Sequence, residues 1–165
     1  MNEPEIEGAG SLLLTPEGYQ SLQTELEHLT MVKRPEIADR IRESLEHGEF
    51  SEDNSELDEV KFEQAMVESR MQELKGIFGN AQILDPEQIP TDHVGIGSVV
   101  KLSDVDIDDE FDVRVVASIE ADPNKDLISN ESPMGTAVFG HRVGDTVEFD
   151  TPDGKKRYKI LSIRR

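Results

Sequence analysis

Residues 46–59 read EHGEFSEDNSELDE, seven carboxylates without a Lys or Arg in fourteen residues, and what flanks this stretch decides the architecture. Upstream, apolar residues recur at Tyr19, Leu22, Leu26 and Leu29, and again at Ile37, Ile41 and Leu45, tracing one face of a helix. Downstream, Leu57, Val60, Gln64, Val67, Met71, Leu74 and Phe78 keep the alternating spacing of three and four that makes a coiled-coil seam, with Gln64 its only polar member. Gly48 supplies the left-handed conformation that ends a helix, and His47 suits the negative helix end. Asp53 with Glu56 three residues later has the pattern of a capping box, with Ser51 and Ser55 as competing caps. A short turn between two long amphipathic helices favours an antiparallel hairpin inside one chain, so a monomer is expected.

The first helix is predicted to start at Thr15 as N-cap, with Pro16 in the first helical position, where its missing N–H costs nothing. From residue 15 to 47 it would extend roughly 45 to 50 Å at about 1.5 Å per residue. Pro35 interrupts this helix, because it removes a backbone donor and crowds the preceding turn, so a kink or a restart is expected over residues 32–36. Residues 1–13 are rich in Glu and Gly at their start and read as a flexible acidic tail, and 14–80 as the hairpin. Residues 81–96, with two prolines, read as a linker.

Beyond the linker the period changes from helix to strand. Phe111, Val113, Val115, Ala117 and Ile119 alternate strictly, and strands are predicted over 97–102, 111–119, 146–150 and 156–163. Thr151-Pro152-Asp153-Gly154 joins the last two as a hairpin turn. Ser132 caps a short helix over 132–139 with Pro133 in its first position. The fold class expected is α+β: an antiparallel two-helix coiled coil followed by an antiparallel β-rich domain, 97–165, carrying a short helix.

Composition narrows the function. The chain has 165 residues, 35% of them hydrophobic and 32% charged, with no Cys and a net charge of −19. No apolar run is long enough to cross a bilayer, the N-terminus has no secretory pattern, and the absence of Cys fits a reducing compartment; the cytoplasm is expected. Binding to free DNA or RNA is disfavoured, because it depends on Lys and Arg neutralising phosphates. A charge of this size instead steers a protein toward a basic channel or groove on a larger partner. No Walker A loop, GxSxG or HExxH motif is present, which argues against a self-sufficient enzyme.

The concentrated chemical resource is the acidic turn. Glu49, Glu52 and Asp53 lie within five residues, and carboxylates so placed can share a hard cation such as Mg2+. An exposed finger fixes coordination geometry poorly, so such a cluster would complete a site held by a partner and not bind the ion tightly alone. In a two-metal site one extra carboxylate can retain the second ion, which activates water for attack on a phosphodiester. Lys33, Arg34, Arg40, Arg42 and Lys61 are candidates to guide RNA beside the turn. Interspersed Glu36, Asp39 and Glu43 offer the plainer alternative of solvent-facing charges and intrahelical pairs.

LTPEGYQSLQTELEHL, KRPEI, GEFSEDN, NAQILD, DLISNESPMG and GHRVGDTVEFDTPDGKKRYKILSI resemble, in order and spacing, the bacterial Gre transcript cleavage factors, GreA more than GreB. The resemblance covers residues 14–163. It implies an N-terminal coiled coil and a C-terminal domain of FKBP-like fold without isomerase activity. It implies that the coiled coil enters the secondary channel of RNA polymerase, where two acidic tip residues support Mg2+ and water during cleavage of backtracked RNA at its 3′ end. By position those residues are Glu49, toward the second Mg2+, and Glu52, toward the ion or its water. The family's C-terminal domain docks on a coiled coil at the channel rim, which points to Ser132, Pro133 and Met134. This chain departs from the family in two places: Glu49 stands where Asp is usual, and EDNSEL carries one residue more than the family's ENAEY, with Leu57 near the usual Tyr. Relatives with an altered tip occupy the channel and inhibit the polymerase, so a channel-binding inhibitor is the alternative, and an acidic coiled-coil adaptor a third.

Overall fold

The computed structural model describes residues 12–48 and 55–165, with the side chains of 47 and 48 left aside. Among the described residues, those up to Gly18 group with Gln82–Arg165 in one compact unit, and those within Tyr19–Ala81 form the other.

The helical unit contains α1 (Pro16–His28), a π-helical turn (Leu29–Lys33), α2 (Arg34–Gly48) and α3 (Ser55–Asn80). The helices run antiparallel: Tyr19 meets Phe78 edge to face at 5.1 Å between ring centroids, whereas Arg40 reaches Glu63. Leu22, Ile37, Val60, Met71 and Leu74 form its buried seam.

The break expected at Pro35 takes a specific form. The chain stays helical through Pro35, and the irregularity lies one turn upstream, where Arg34 N–H donates to Leu29 O, five residues back. The seam explains its position. On α3, Val60, Val67 and Leu74 are spaced by sevens. On the facing helix Leu22 and Leu29 are seven apart and Ile37 and Ser44 are seven apart, but Leu29 and Ile37 are eight apart. A continuous α-helix would rotate everything beyond the eighth residue by about 100° and carry Ile37 out of the seam. One π turn holds one residue more than an α turn and restores the phase. Pro35, having no N–H, sits directly after that turn, near the start of α2, where a donor is least missed.

Two seam assignments change accordingly. Leu45 is exposed and Ser44 is buried in its place, because the shift of one residue moves the inward position. Gln64 is exposed as well, and at its level the half-buried residue is Glu63.

In the other unit, five strands are ordered β5-β4-β3-β7-β6, with β3 (Val99–Asp104), β4 (Asp109–Val116), β5 (Leu127–Ser129), β6 (Thr146–Thr151) and β7 (Gly154–Arg164). The sheet is mostly antiparallel, but β4 and β5 pair in parallel, which the sequence reading did not include. Val100 stands opposite Val113 on one side and Ile163 on the other. Alternation puts Val100, Leu102, Val113, Val115, Val147, Tyr158 and Ile160 into one core with Val138. Val138 comes from α4 (Pro133–Val138), whose N-cap is Ser132 as predicted.

The expected tail and linker need correction. Leu12–Leu14 form β1, which pairs with β2 (Ala81–Ile83), so the segment read as tail to residue 13 ends in a strand. Its three leucines are too few to show a period, yet Leu14 is fully buried. The stretch 81–96 is likewise structured: Leu84, Ile89 and Val94 are buried, and Asp85 caps a short 3-10 turn at Pro86–Gln88. Thr15 caps α1 as predicted, its Oγ1 accepting from Gly18 N–H at 3.0 Å. It is also held from a distance of 105 residues, donating from its backbone N–H (2.9 Å) and Oγ1 (2.5 Å) to the two carboxylate oxygens of Glu120.

Candidate functional site

The acidic stretch lies in sequence between α2 and α3, and its three named carboxylates, Glu49, Glu52 and Asp53, lie outside the described residues. What the structure describes is the shaft that carries them. Glu46 on α2 and Glu56, Asp58 and Glu59 at the start of α3 are exposed beside the turn, and acidic residues in the first turn of α3 complement the positive helix end. Among the described residues no three carboxylate or histidine side chains are gathered to hold a metal ion.

The shaft is fastened by ion pairs. Glu25 receives a fork from Arg70, Nε at 2.6 Å and Nη2 at 3.0 Å. Farther along, Glu63 is gripped by Arg40 at 2.7 Å with Lys33 at 3.9 Å. Glu25, Lys33 and Arg40 follow spacings of eight and seven that match the seam, and Glu63 and Arg70 are seven apart, so these pairs form one ladder. The polarity of its rungs alternates: a slip of one heptad in one direction would set Glu25 against Glu63, and in the other direction Arg70 against Lys33, so the ladder disfavours both shifts of register as well as contributing energy. A second fork joins Arg34 to Glu68 at 2.7 and 2.6 Å. These contacts hold the Glu25 and Glu68 carboxyls below the usual glutamate range, through the hydrogen bonds from Arg70 and Arg34 first.

Of the five cations considered as RNA guides, four are thus engaged within the hairpin: Lys33 and Arg40 with Glu63, Arg34 with Glu68, and Arg42 with Asp39 on its own helix at 3.2 Å. Lys61 is exposed. The three residues considered for docking also differ among themselves. Ser132 Oγ donates to Ser129 O at 2.6 Å and accepts from Gly135 N–H at 3.0 Å, while Met134 packs against the core and Pro133 is exposed. The sequence reading passed over Glu63 and Glu68. Their signal was the seven-residue spacing of charge beside the seam, which pattern searches aimed at apolar residues ignore.

Two family models match this chain. Residues 12–83 match "Transcription elongation factor, N-terminal", and residues 89–165 match "Transcription elongation factor, GreA/GreB, C-term". The chain belongs to the GreA/GreB family of transcription elongation factors. It is 49% identical over 154 residues to transcription elongation factor GreA of Acetivibrio thermocellus, covering 93% of this chain and 96% of that one. To GreA of Clostridium kluyveri it is 46% identical over 160 residues, 97% of this chain and all of the relative. Among solved structures, GreA factor homolog 1 of Thermus thermophilus is 34% identical, with 94% of this chain and 99% of that one covered and a TM-score of 0.44. The two GreA/GreB segments correspond to the helical hairpin with its flanking strands and to the five-stranded sheet with α4. Among the described residues no helix is long and apolar enough to cross a membrane.

Proposed function

We propose that this Gre-family chain is a transcript cleavage factor: its hairpin enters the secondary channel of bacterial RNA polymerase and stimulates cleavage of backtracked RNA, releasing arrested complexes. The observation that carries this reading is near-half identity along almost the whole chain to proteins named transcription elongation factor GreA. In this account the polymerase is the catalyst and the chain assists it from the cytoplasm as a monomer. Glu49 and Glu52 supply carboxylate oxygens toward a Mg2+ shared with the polymerase, which when bound activates water for attack on the phosphodiester. The alternating ion-pair ladder serves this role by keeping the two arms in one register, because catalysis that depends on position loses on the order of a hundredfold for a misplacement of about 1 Å. Docking at the channel rim falls on Pro133 and the surface around it, since Ser132 is committed to capping α4 and Met134 to the core.

Substituting both tip residues, Glu49→Ala with Glu52→Ala, removes the stimulated cleavage while leaving helix content and polymerase binding in place. Retained cleavage by the double variant refutes the assignment of these residues. A second reading rests on Glu49 in place of Asp and on the additional residue in the turn: a channel-binding inhibitor, whose sign is slower nucleotide addition without shortened transcripts.

A further inference from the structure

The two edges of the five-stranded sheet are finished differently. At β5 the chain closes its own edge: Asp122 N–H donates to Leu127 O at 2.9 Å, Leu127 N–H to Asp122 O at 3.1 Å, and Ser132 N–H to Ser129 O at 3.0 Å. At β6 no described segment does this. Thr151 and Gly154 flank the turn into β7, and the register runs without a shift back to Thr146 opposite Lys159. Hydrogen-bonded pairs with β7 therefore fall at Thr151, Phe149 and Val147, and the backbone N–H and C=O groups of Thr146, Glu148 and Asp150 point outward. Among the described residues nothing bonds these groups, and all of these residues are exposed. A proline or a bulge, either of which would blunt such an edge, is absent from the strand.

The side chains of the same row are acidic. Glu148 and Asp150 stand on the face away from the core, while Val147 is buried and Phe149 packs half-buried against Tyr158. β7 shows what β6 accepts as a neighbour: Lys155 lies opposite Asp150 and Arg157 opposite Glu148, whereas Tyr158, opposite Val147, turns into the core. These cations leave the carboxylates only partly matched. Arg157 is drawn to Asp106 at 3.0 Å, Lys155 stands 3.7 Å from Glu148, and Asp150 has no ion pair among the described residues. The β6 of a second copy would set carboxylate against carboxylate, and like charges directly opposed across strands are destabilising. The charge that guards this edge against self-pairing thus favours a cationic strand.

We propose that the β6 edge is a binding site for an extended basic segment of another protein, which adds a strand to the sheet with Lys or Arg opposite Glu148 and Asp150 and an apolar residue between them beside Phe149. Main-chain bonds supply the affinity and the alternating side chains the selection. The site lies wholly in the C-terminal unit and does not depend on the hairpin's assisting cleavage.

The full chain is titrated into a fluorescein-labelled peptide, Lys-Val-Lys-Val-Arg-Val, and binding is followed by anisotropy, with Lys-Lys-Arg-Val-Val-Val as a control of equal composition. Saturable binding of the alternating peptide, about tenfold or more tighter than the control, is expected. Two variants separate backbone from charge. Glu148→Pro removes an outward N–H but no bond to β7, and Glu148→Lys with Asp150→Lys reverses the charge. Each is expected to weaken binding about tenfold or more, with circular dichroism verifying the fold. Equal binding of both peptides reduces the effect to attraction by a net charge of −19 and overturns the site, as does parent-like affinity in a folded variant or the lack of saturable binding. Dimers of the parent in sedimentation that Glu148→Pro abolishes overturn it in favour of self-pairing.

Discussion

Gly135 shows how a single atom can fix the C-terminal unit. It lies in α4, and a Cβ built there would run into the backbone carbonyl of Ser129, which already accepts the Ser132 hydroxyl at 2.6 Å. Only hydrogen lets the helix lie this close to β5. Because the obstacle is backbone, Gly135→Ala cannot be relieved by a rotamer change. It should lower the unfolding free energy by about 2 kcal/mol or more, within the range of overpacking, whereas Gly76→Ala in α3, where a Cβ meets nothing within 4 Å, should be neutral or stabilising. Urea unfolding of the two variants checks the contrast. The Ser132 cap was legible in the sequence because Ser-Pro before a short apolar run is a local signal. The clasp of Glu120 on Thr15 was not, since nothing local links residues 105 positions apart.

At the scale of elements, the hairpin was readable because amphipathic periodicity over dozens of residues outweighs any local ambiguity. Its interruption was readable in place but not in form. Pro35 marks where the helix is disturbed, yet the disturbance is a π turn because Leu29 and Ile37 are separated by eight residues, and only comparison with the strict sevens of α3 reveals that. Two causes thus coincide, and they can be separated. Pro35→Ala alone leaves the eighth residue and should leave the π turn. Deleting Thr30 together with Pro35→Ala should give an uninterrupted α-helix with its seam in phase and a thermal midpoint no lower than the parent's. Deleting Gln72 from α3 instead removes a residue where none is extra. It rotates the following seam by about 100° and should cost several kcal/mol, as burial of Leu74 is lost. A midpoint that falls equally for both deletions would refute the phase account. The parallel β4–β5 pair and the β1–β2 ribbon escaped the sequence reading for a common reason: strands of three residues are too short to display alternation, and long-range pairing decides them.

The whole molecule divides its labour along the chain. A net charge of −19 belongs to a protein whose shaft cations are mostly spent on internal pairs, and charge of that size favours a basic partner. Family membership is fixed by matches across both segments, and the reading of the tip rests on two carboxylates and the register of the arms that hold them. Association steered in this way should weaken with ionic strength, since exposed charges are screened beyond about 8 Å at physiological salt. The most direct measurement is transcript cleavage in a stalled, backtracked elongation complex of the source organism's polymerase at fixed Mg2+, with and without this chain. Faster release of short 3′ RNA fragments, followed by resumed elongation, is the predicted result. Unchanged cleavage with slowed nucleotide addition would contradict it and make the chain an occupant of the channel that blocks without cutting.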